Sequence, residues 1–203
     1  MENELIRSAA KALGSKINCY NHWQGKELRK LELGLEIFLI NVSKIIIIYS
    51  LAALLGSLWQ TLLVHCAFAV VKRYSFGLHA LNSTVCTVVS CLVFVFVPIL
   101  LSGLGLSNVG VVIVFGVVIF TLYMYAPADT KARPLIGKKL RETLKRKAVI
   151  CGVGLMVTAL LIPDESVKLL LAVGAIFQIV MILPFAYKIL KRSGKNYENY
   201  ECA

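Results

Sequence analysis

Long apolar stretches dominate most of this sequence, and the charged residues between them are clustered. Lys44 is the only charged residue between Ile37 and Val71, and no charged residue lies between His79 and Tyr125. A water-soluble fold of 203 residues cannot bury such long runs, whereas a lipid bilayer accommodates them. The pattern predicts an all-α integral membrane protein, because helices satisfy their own backbone hydrogen bonds in lipid.

Six apolar segments are predicted to form transmembrane or re-entrant helices. The first two are expected to turn at Gly56 and Ser57, because together they exceed the about 20 residues that one crossing needs. The second and fifth segments are short, and each is either a tilted crossing or a re-entrant helix. The six segments are residues 35–55, 58–71, 81–101, 109–125, 148–162 and 167–187.

The positions of lysine and arginine predict the orientation of these segments. With the N-terminus inside, the cytoplasmic parts carry 20 of the 22 Lys and Arg residues, and the outside turns carry none. Positive residues are retained on the cytoplasmic side, so both termini are predicted to be cytoplasmic. The net charge of +11 then reflects attraction to an anionic inner leaflet, and nucleic acid is not an expected partner.

Three regions follow from this pattern: a cytoplasmic N-terminal segment at residues 1–34, a polytopic membrane domain at 35–190, and a polar cytoplasmic tail at 191–203. Apolar residues of the N-terminal segment recur at helical spacing among basic ones. They predict an amphipathic helix that either lies on the inner leaflet or packs on the cytosolic loops.

The cytoplasmic loop at residues 126–147 is strongly basic, with only Asp129 and Glu142 as acidic residues. Its charge exceeds what membrane orientation needs, so an acidic peptide or an anionic lipid is an expected ligand. The basic residues are Lys131, Arg133, Lys138, Lys139, Arg141, Lys145, Arg146 and Lys147.

His79 and Cys86 are the polar pair with the clearest chemistry, since an imidazole beside a thiol suffices for nucleophilic cysteine catalysis. In one straight helix they would be about 10.5 Å apart along the axis, too far for a hydrogen bond. Gly77 and residues 82–84 are therefore predicted to form a loop or cap before a helix that begins near Ser83. Cys86 would then lie in its first turn, where free N–H groups favour a thiolate and an oxyanion. The alternative is a histidine at a helix start and a buried cysteine.

A small transporter or exporter of a peptide or ion is the main alternative function. It would use polar residues within the membrane, such as Lys44, His65 and Gln178. A membrane scaffold without chemistry is a further alternative. The six cysteines form no CxxC pair and match no zinc spacing, so neither a metal nor another cofactor is predicted.

Residues 77–86 resemble the core motif of the AgrB (accessory gene regulator B) family. They read G-L-H-A-L-N-S-T-V-C, which is similar to G-x-H-A-x-x-S-x-x-C. Lys72 and Arg73 precede this motif, as basic residues do in the family. Phe76 is a departure, because many members have a glycine there.

A second motif, Y-A-P-A-D-T-K at residues 125–131, resembles the family's Y-A-P-A-x-T-K at the start of its basic loop. Gln178 stands six residues before Pro184, where the family often carries Glu or Gln. The resemblance covers nearly the whole chain, including its length and the order of its spans.

The resemblance implies a multi-pass membrane cysteine endopeptidase of the bacterial cell membrane, with His79 and Cys86 as catalytic residues on the cytoplasmic side. Such enzymes cut an AgrD-type precursor peptide on its C-terminal side through a thioester on the cysteine. They then promote closure of a thiolactone or lactone ring, which yields a cyclic autoinducing quorum-sensing peptide. A homodimer and contact with membrane lipid are implied, whereas the third catalytic residue stays open among Asn82, Ser83 and Gln178.

An AgrD-type precursor has an amphipathic leader and an acidic tail. The leader is expected on the inner leaflet, and the tail on the basic loop. The candidate substrate-binding residues are Lys72, Arg73, Ser83, Lys131, Arg133, Lys138, Lys139, Arg141 and Gln178.

Overall fold

The computed structural model describes residues 2–77, 83–130 and 135–189. Within these ranges the chain is helical apart from short connections and one isolated pairing of Phe76 with Ala128. The chain divides into two units, Met1–Leu51 and Ala52–Ala203.

The first unit contains helix α1 (Glu2–Asn21) and most of helix α2 (Lys26–Leu54). Small residues of α1 face α2: Ala10 is buried, and a Cβ on Gly14 would lie 3.3 Å from Glu32 Cγ. The Asn18 side chain closes the turn between the helices, because its Oδ1 accepts from Trp23 N at 2.6 Å and its Nδ2 donates to Trp23 O at 2.9 Å. The predicted first span at 35–55 lies almost wholly within α2, and this helix extends nine residues before it, to Lys26.

The second unit begins with the end of α2 and the turn at Gly56 and Ser57, which confirms the predicted turn. Its helices are α3 (Leu58–Ser75), α4 (Ser83–Cys91), α5 (Val97–Leu100), α6 (Asn108–Tyr125), α7 (Lys138–Leu161), α8 (Glu165–Val180) and α9 (Pro184–Ile189). A π-helical turn, Leu92–Phe96, joins α4 to α5 in one continuous rod. Pro98 follows this turn, and a widened turn accommodates a residue without a backbone N–H.

Helix α3 lies at the centre of the second unit and packs along α8, α7 and the π-helical turn, while α6 packs on α7 and α8. Phe115, Leu122 and Ala175 are fully buried in the shared core. A Cβ on Gly174 would collide with the carbonyl of Val64, so this glycine permits the close approach of α3 and α8.

Helices α2 and α6 are long and apolar enough to cross a membrane, and Thr84–Leu100 is a shorter apolar stretch. Large apolar side chains remain exposed along both helices, among them Ile46, Ile113 and Phe120. So much exposed apolar surface is unfavourable in water and suits contact with lipid. The fourth predicted span coincides with α6, whereas the six-span topology and its orientation stay predictions.

Two predicted segments differ from the structure. The basic segment 126–147, predicted as a loop, is helical from Lys138 onward, because α7 begins there and carries six of the basic residues. Lys, Arg, Leu and Glu are strong helix formers, so their helix continues into the apolar part. The predicted sixth span, 167–187, is interrupted after Val180, since Pro184 would clash with the carbonyl four residues earlier if the helix continued.

Candidate active site

Cys86 is the fourth residue of α4, and its side chain is half-buried. The described part of this helix starts at Ser83 and directly follows residues outside the description, so a helix start near Ser83, with Cys86 in the first turn, stays a prediction. His79, Lys131 and Arg133 lie outside the described residues, and Ser83 is described only through its backbone. Gly77 is the last described residue before His79, and its contacts locate the start of the segment that carries the predicted base.

The two sequence motifs meet at the end of α3. Gly77 N donates to Ala128 O at 3.0 Å, and Ala128 N donates to Ser75 O at 2.9 Å. These two bonds make a short parallel pairing between the start of the G-L-H-A motif and the Y-A-P-A motif. The segment that leads to His79 is thus bonded directly to the segment that precedes the basic residues of α7.

The backbone at the end of α3 adopts conformations that favour glycine. Gly77 has a φ of 109°, and a Cβ there would lie 3.0 Å from both Met181 O and Ile182 Cγ2. Phe76 has a φ of 57° and a ψ of −128°, which is costly for a residue with a side chain. Phe76 stands where the motif that this sequence resembles often has glycine. Its positive φ explains physically why glycine would suit this position.

Gln178 connects α8 to this same segment. Its side chain is fully buried, and Nε2 donates to Ser75 Oγ at 2.8 Å and to Phe76 O at 2.6 Å. Ser75 Oγ in turn donates to Val71 O at 2.9 Å. Gln178 Oε1 has no hydrogen-bond partner in the part of the chain that the structure describes. The residue predicted from sequence as a substrate contact lies inside the protein, at the base of the segment that carries His79.

A cavity of 550 Å³ opens beside Ala128 and is lined by more basic than acidic side chains. Arg141 is fixed at its wall by a bond from Nη1 to Leu135 O of 3.0 Å. Lys139 lies outside the lining and is exposed. The charged residues of the lining are Asp129, Lys138, Arg141, Glu142, Lys145 and Lys188.

Tyr187, in α9 beyond the end of α8, closes one side of the cavity. Its hydroxyl donates to Asp129 O at 2.8 Å. Burial, followed by the nearby charge of Asp129, raises the pKa of Tyr187 to about 12, so the phenol stays protonated and keeps donating. This bond holds the segment after Ala128 against α9. Sequence reasoning did not single out Tyr187, because a lone aromatic near a helix end resembles ordinary packing.

His65, a candidate for a transport pathway, belongs to an aromatic cluster within the helix bundle. Its ring lies 4.8 Å from that of Phe94, and the Phe68 and Phe177 rings are 5.1 Å apart. Lys72 Nζ lies 4.7 Å above the Phe68 ring, in cation–π contact. The neighbouring Arg73 is exposed.

Comparison with known proteins agrees with the two motifs. The model of the accessory gene regulator B family matches residues 7–182. An AgrB-like protein of Listeria monocytogenes is 45% identical over 172 residues, which are 85% of this chain and 84% of the relative. An AgrB-like protein of Clostridium acetobutylicum is 40% identical over 200 residues, 98% of this chain and 96% of the relative.

The accessory gene regulator protein B of Staphylococcus intermedius is 32% identical over 180 residues, which cover 89% of this chain and 95% of that protein. No solved structure matches the chain. The family match and these relatives extend over most of the sequence, including both motifs that meet at the end of α3. The chain belongs to the accessory gene regulator B (AgrB) family.

Proposed function

We propose that this protein is a membrane cysteine endopeptidase that cleaves an AgrD-type precursor peptide and promotes its cyclisation to a quorum-sensing signal. The observation that carries the proposal is the hydrogen bond from Gly77 N to Ala128 O. It joins the segment that carries His79 to the wall of a basic cavity. A catalytic base and a docking site for an acidic substrate would therefore adjoin one another.

The proposed chemistry uses Cys86 as nucleophile and His79 as base. The imidazole takes the thiol proton, and the thiolate sulfur attacks the carbonyl carbon of the scissile peptide bond. The resulting oxyanion is stabilised by free N–H groups in the first turn of α4. The carbon–nitrogen bond then breaks, the imidazolium protonates the leaving amine, and the N-terminal part of the peptide remains on Cys86 as a thioester.

Ring closure follows by a second acyl transfer. A thiol or hydroxyl within the bound peptide gives its proton to the now neutral imidazole of His79 and attacks the thioester carbonyl. The carbon–sulfur bond to Cys86 breaks, and the Cys86 thiolate is regenerated beside the imidazolium. The thioester conserves acyl reactivity until this step, provided that water is kept away from it. The half-buried position of Cys86 on an apolar helix suits that requirement.

The cavity beside Ala128 is the proposed docking site for the acidic tail of the precursor. Lys138, Arg141, Lys145 and Lys188 contribute four positive charges to its lining, against two negative charges. An excess of positive charge in a concave site attracts carboxylates and holds them by charge-assisted hydrogen bonds. The tail would lie next to the segment from which the chain leaves toward His79.

The test is co-expression with an AgrD-type precursor, followed by mass measurement of the peptide. Wild type should shorten the precursor, and Cys86→Ala should leave it whole. Cys91→Ala is the matched control, because Cys91 is a half-buried thiol in the same helix. His65→Ala tests the transporter alternative and should remain active. Full processing by Cys86→Ala would refute the peptidase, and loss of product export in His65→Ala with intact cleavage would favour a transport role.

A further inference from the structure

Both N–H groups of the Gln178 side-chain amide donate hydrogen bonds. One N–H bonds Ser75 Oγ and the other bonds Phe76 O, and both acceptors belong to the last residues before Gly77. Ser75 is itself fully buried, and its hydroxyl donates a hydrogen bond to Val71 O. A single side chain of α8 therefore holds both the last turn of α3 and the first residue beyond it.

Folding requirements alone do not account for this amide. Its Oε1 is buried without a partner among the described residues, and a buried unpaired acceptor is unfavourable. The carbonyl it bonds belongs to Phe76, whose φ of 57° is also unfavourable. Two unfavourable features at one point are typical of segments whose conformation serves a function.

The contacts around Gly77 fix the backbone at this residue. Its N–H is bonded to Ala128 O on one side, and Met181 O and Ile182 Cγ2 leave no room for a Cβ on the other. Since Gln178 holds the two residues before Gly77, the position of Gly77, the last described residue before His79, is set by α8 and by Ala128 together.

We propose that Gln178 is a positioning residue that, through Ser75 and Phe76, places the imidazole of His79 beside the thiol of Cys86. The inference rests on the proposed peptidase function. Gln178 acts without touching the reacting atoms. Its effect on rate can nevertheless be large, because a displacement of about 1 Å at a reacting centre lowers a rate about 100-fold.

The test is the pH dependence of Cys86 alkylation by iodoacetamide, in the full chain without substrate. The mass of the peptide that contains Cys86 separates its reaction from that of the other cysteines. A nearby imidazole maintains a thiolate at a pH where an isolated thiol is protonated, so wild type should react at about pH 6. His79→Ala should lose this reactivity at about pH 6 and keep it at about pH 9, where thiols ionise unaided.

Gln178→Met preserves the length of the side chain and removes both donors. It should lower alkylation at about pH 6 by about 10-fold or more, toward the level of His79→Ala, and match wild type at about pH 9. Gln178→Glu can donate one hydrogen bond when protonated, so its alkylation rate at about pH 6 should lie between those of wild type and Gln178→Met. Thr61→Val is the matched control: Thr61 is buried in α3 with no partner for its hydroxyl among the described residues, and its loss should leave the profile unchanged.

The outcomes separate this inference from the proposed function. A wild-type profile in Gln178→Met, with loss of reactivity in His79→Ala, would overturn the role of Gln178 and leave the dyad standing. An unchanged profile in His79→Ala would overturn the dyad, and the positioning role with it. Loss of reactivity in Gln178→Met at both about pH 6 and about pH 9 would show a change in access to Cys86, which also overturns positioning.

Discussion

Each end of α8 carries a buried polar side chain, but the hydrogen bonding of the two side chains differs. At the first end, Lys168 Nζ donates to Asn108 Oδ1 at 2.7 Å, and Asp164 caps the helix by accepting from Ser166 N at 2.8 Å. At the other end, Gln178 has an acceptor without a partner among the described residues, and it bonds the strained Phe76. The first end follows the rules of a stable helix terminus, and the second departs from them.

This difference separates structural from functional polar groups within one helix. Sequences that fold well satisfy local rules nearly everywhere, and exceptions concentrate where function requires a particular geometry. The exceptions here are Phe76, Gly77 and Gln178. Gln178 bonds Phe76, and the next residue, Gly77, bonds Ala128. We therefore expect substitutions there to reduce activity more than stability, and substitutions around Lys168 to do the reverse.

The largest effect is expected from Gly77→Ala. A Cβ at this position meets Met181 O and Ile182 Cγ2 at 3.0 Å, and the φ of 109° is unfavourable for alanine. The segment toward His79 must shift, so precursor cleavage should fall by about 100-fold in a single-turnover assay. Gly116→Ala, in α6 with open space around it, is the control and should cleave normally. Equal activity of the two variants would contradict a fixed departure at Gly77.

Charge reversal in the cavity should have the next largest effect. Lys138→Glu combined with Arg141→Glu removes the excess positive charge from the lining, so the KM for an acidic precursor should rise about 10-fold. Arg146→Glu, an exposed residue of the same helix outside the lining, should raise KM less. An equal effect per reversed charge in the double and the single variant would mean that net charge matters and the cavity does not.

Lys168→Met should mainly affect stability. It removes a hydrogen bond from a buried ammonium group to Asn108, which costs about 1–3 kcal/mol. Thermal unfolding in detergent should shift to lower temperature, while the kcat of the folded fraction stays within about 2-fold of wild type. A large loss of kcat with an unchanged unfolding temperature would remove the contrast between the two ends of α8.

The smallest effect concerns Phe76. Phe76→Gly and Phe76→Ala remove the same phenyl ring, but only glycine adopts a φ of 57° without strain. The glycine variant should be more stable than the alanine variant by about 1 kcal/mol, the reverse of the order at ordinary helical positions. Chemical denaturation of the two variants measures this difference, and a more stable alanine variant would show that Phe76 is not strained.

Hydrophobic pattern predicted the parts of this fold that local rules decide. The turn at Gly56 and Ser57 and the extent of α6 follow from apolar length and from glycine and cap residues. The early start of α7 was missed because its basic residues were assigned to membrane orientation, although they also favour helix. The break after Val180 was missed because the apolar pattern continues through it.

The candidate site was predictable as a pair of motifs and not as a geometry. Nothing in the spacing of Gly77, Ala128 and Gln178 indicates that they meet, because single hydrogen bonds between distant residues leave no periodic signal. The roles of Tyr187 and Ser75 emerge only when the helices are packed. The sequence motifs thus indicated the candidate catalytic residues, and the packing of the helices indicates which residues support the segments that carry them.

Trapping the acyl-enzyme tests directly whether Cys86 carries the peptide as a thioester. The protein is incubated with a precursor whose ring-forming cysteine or serine is replaced by alanine, so that ring closure cannot discharge the thioester. Wild type and Cys91→Ala should gain the mass of the N-terminal part of the peptide, located on the fragment that contains Cys86, and hydroxylamine should release it. Cleavage without an adduct on Cys86, or cleavage by Cys86→Ala, would show that Cys86 is not the nucleophile.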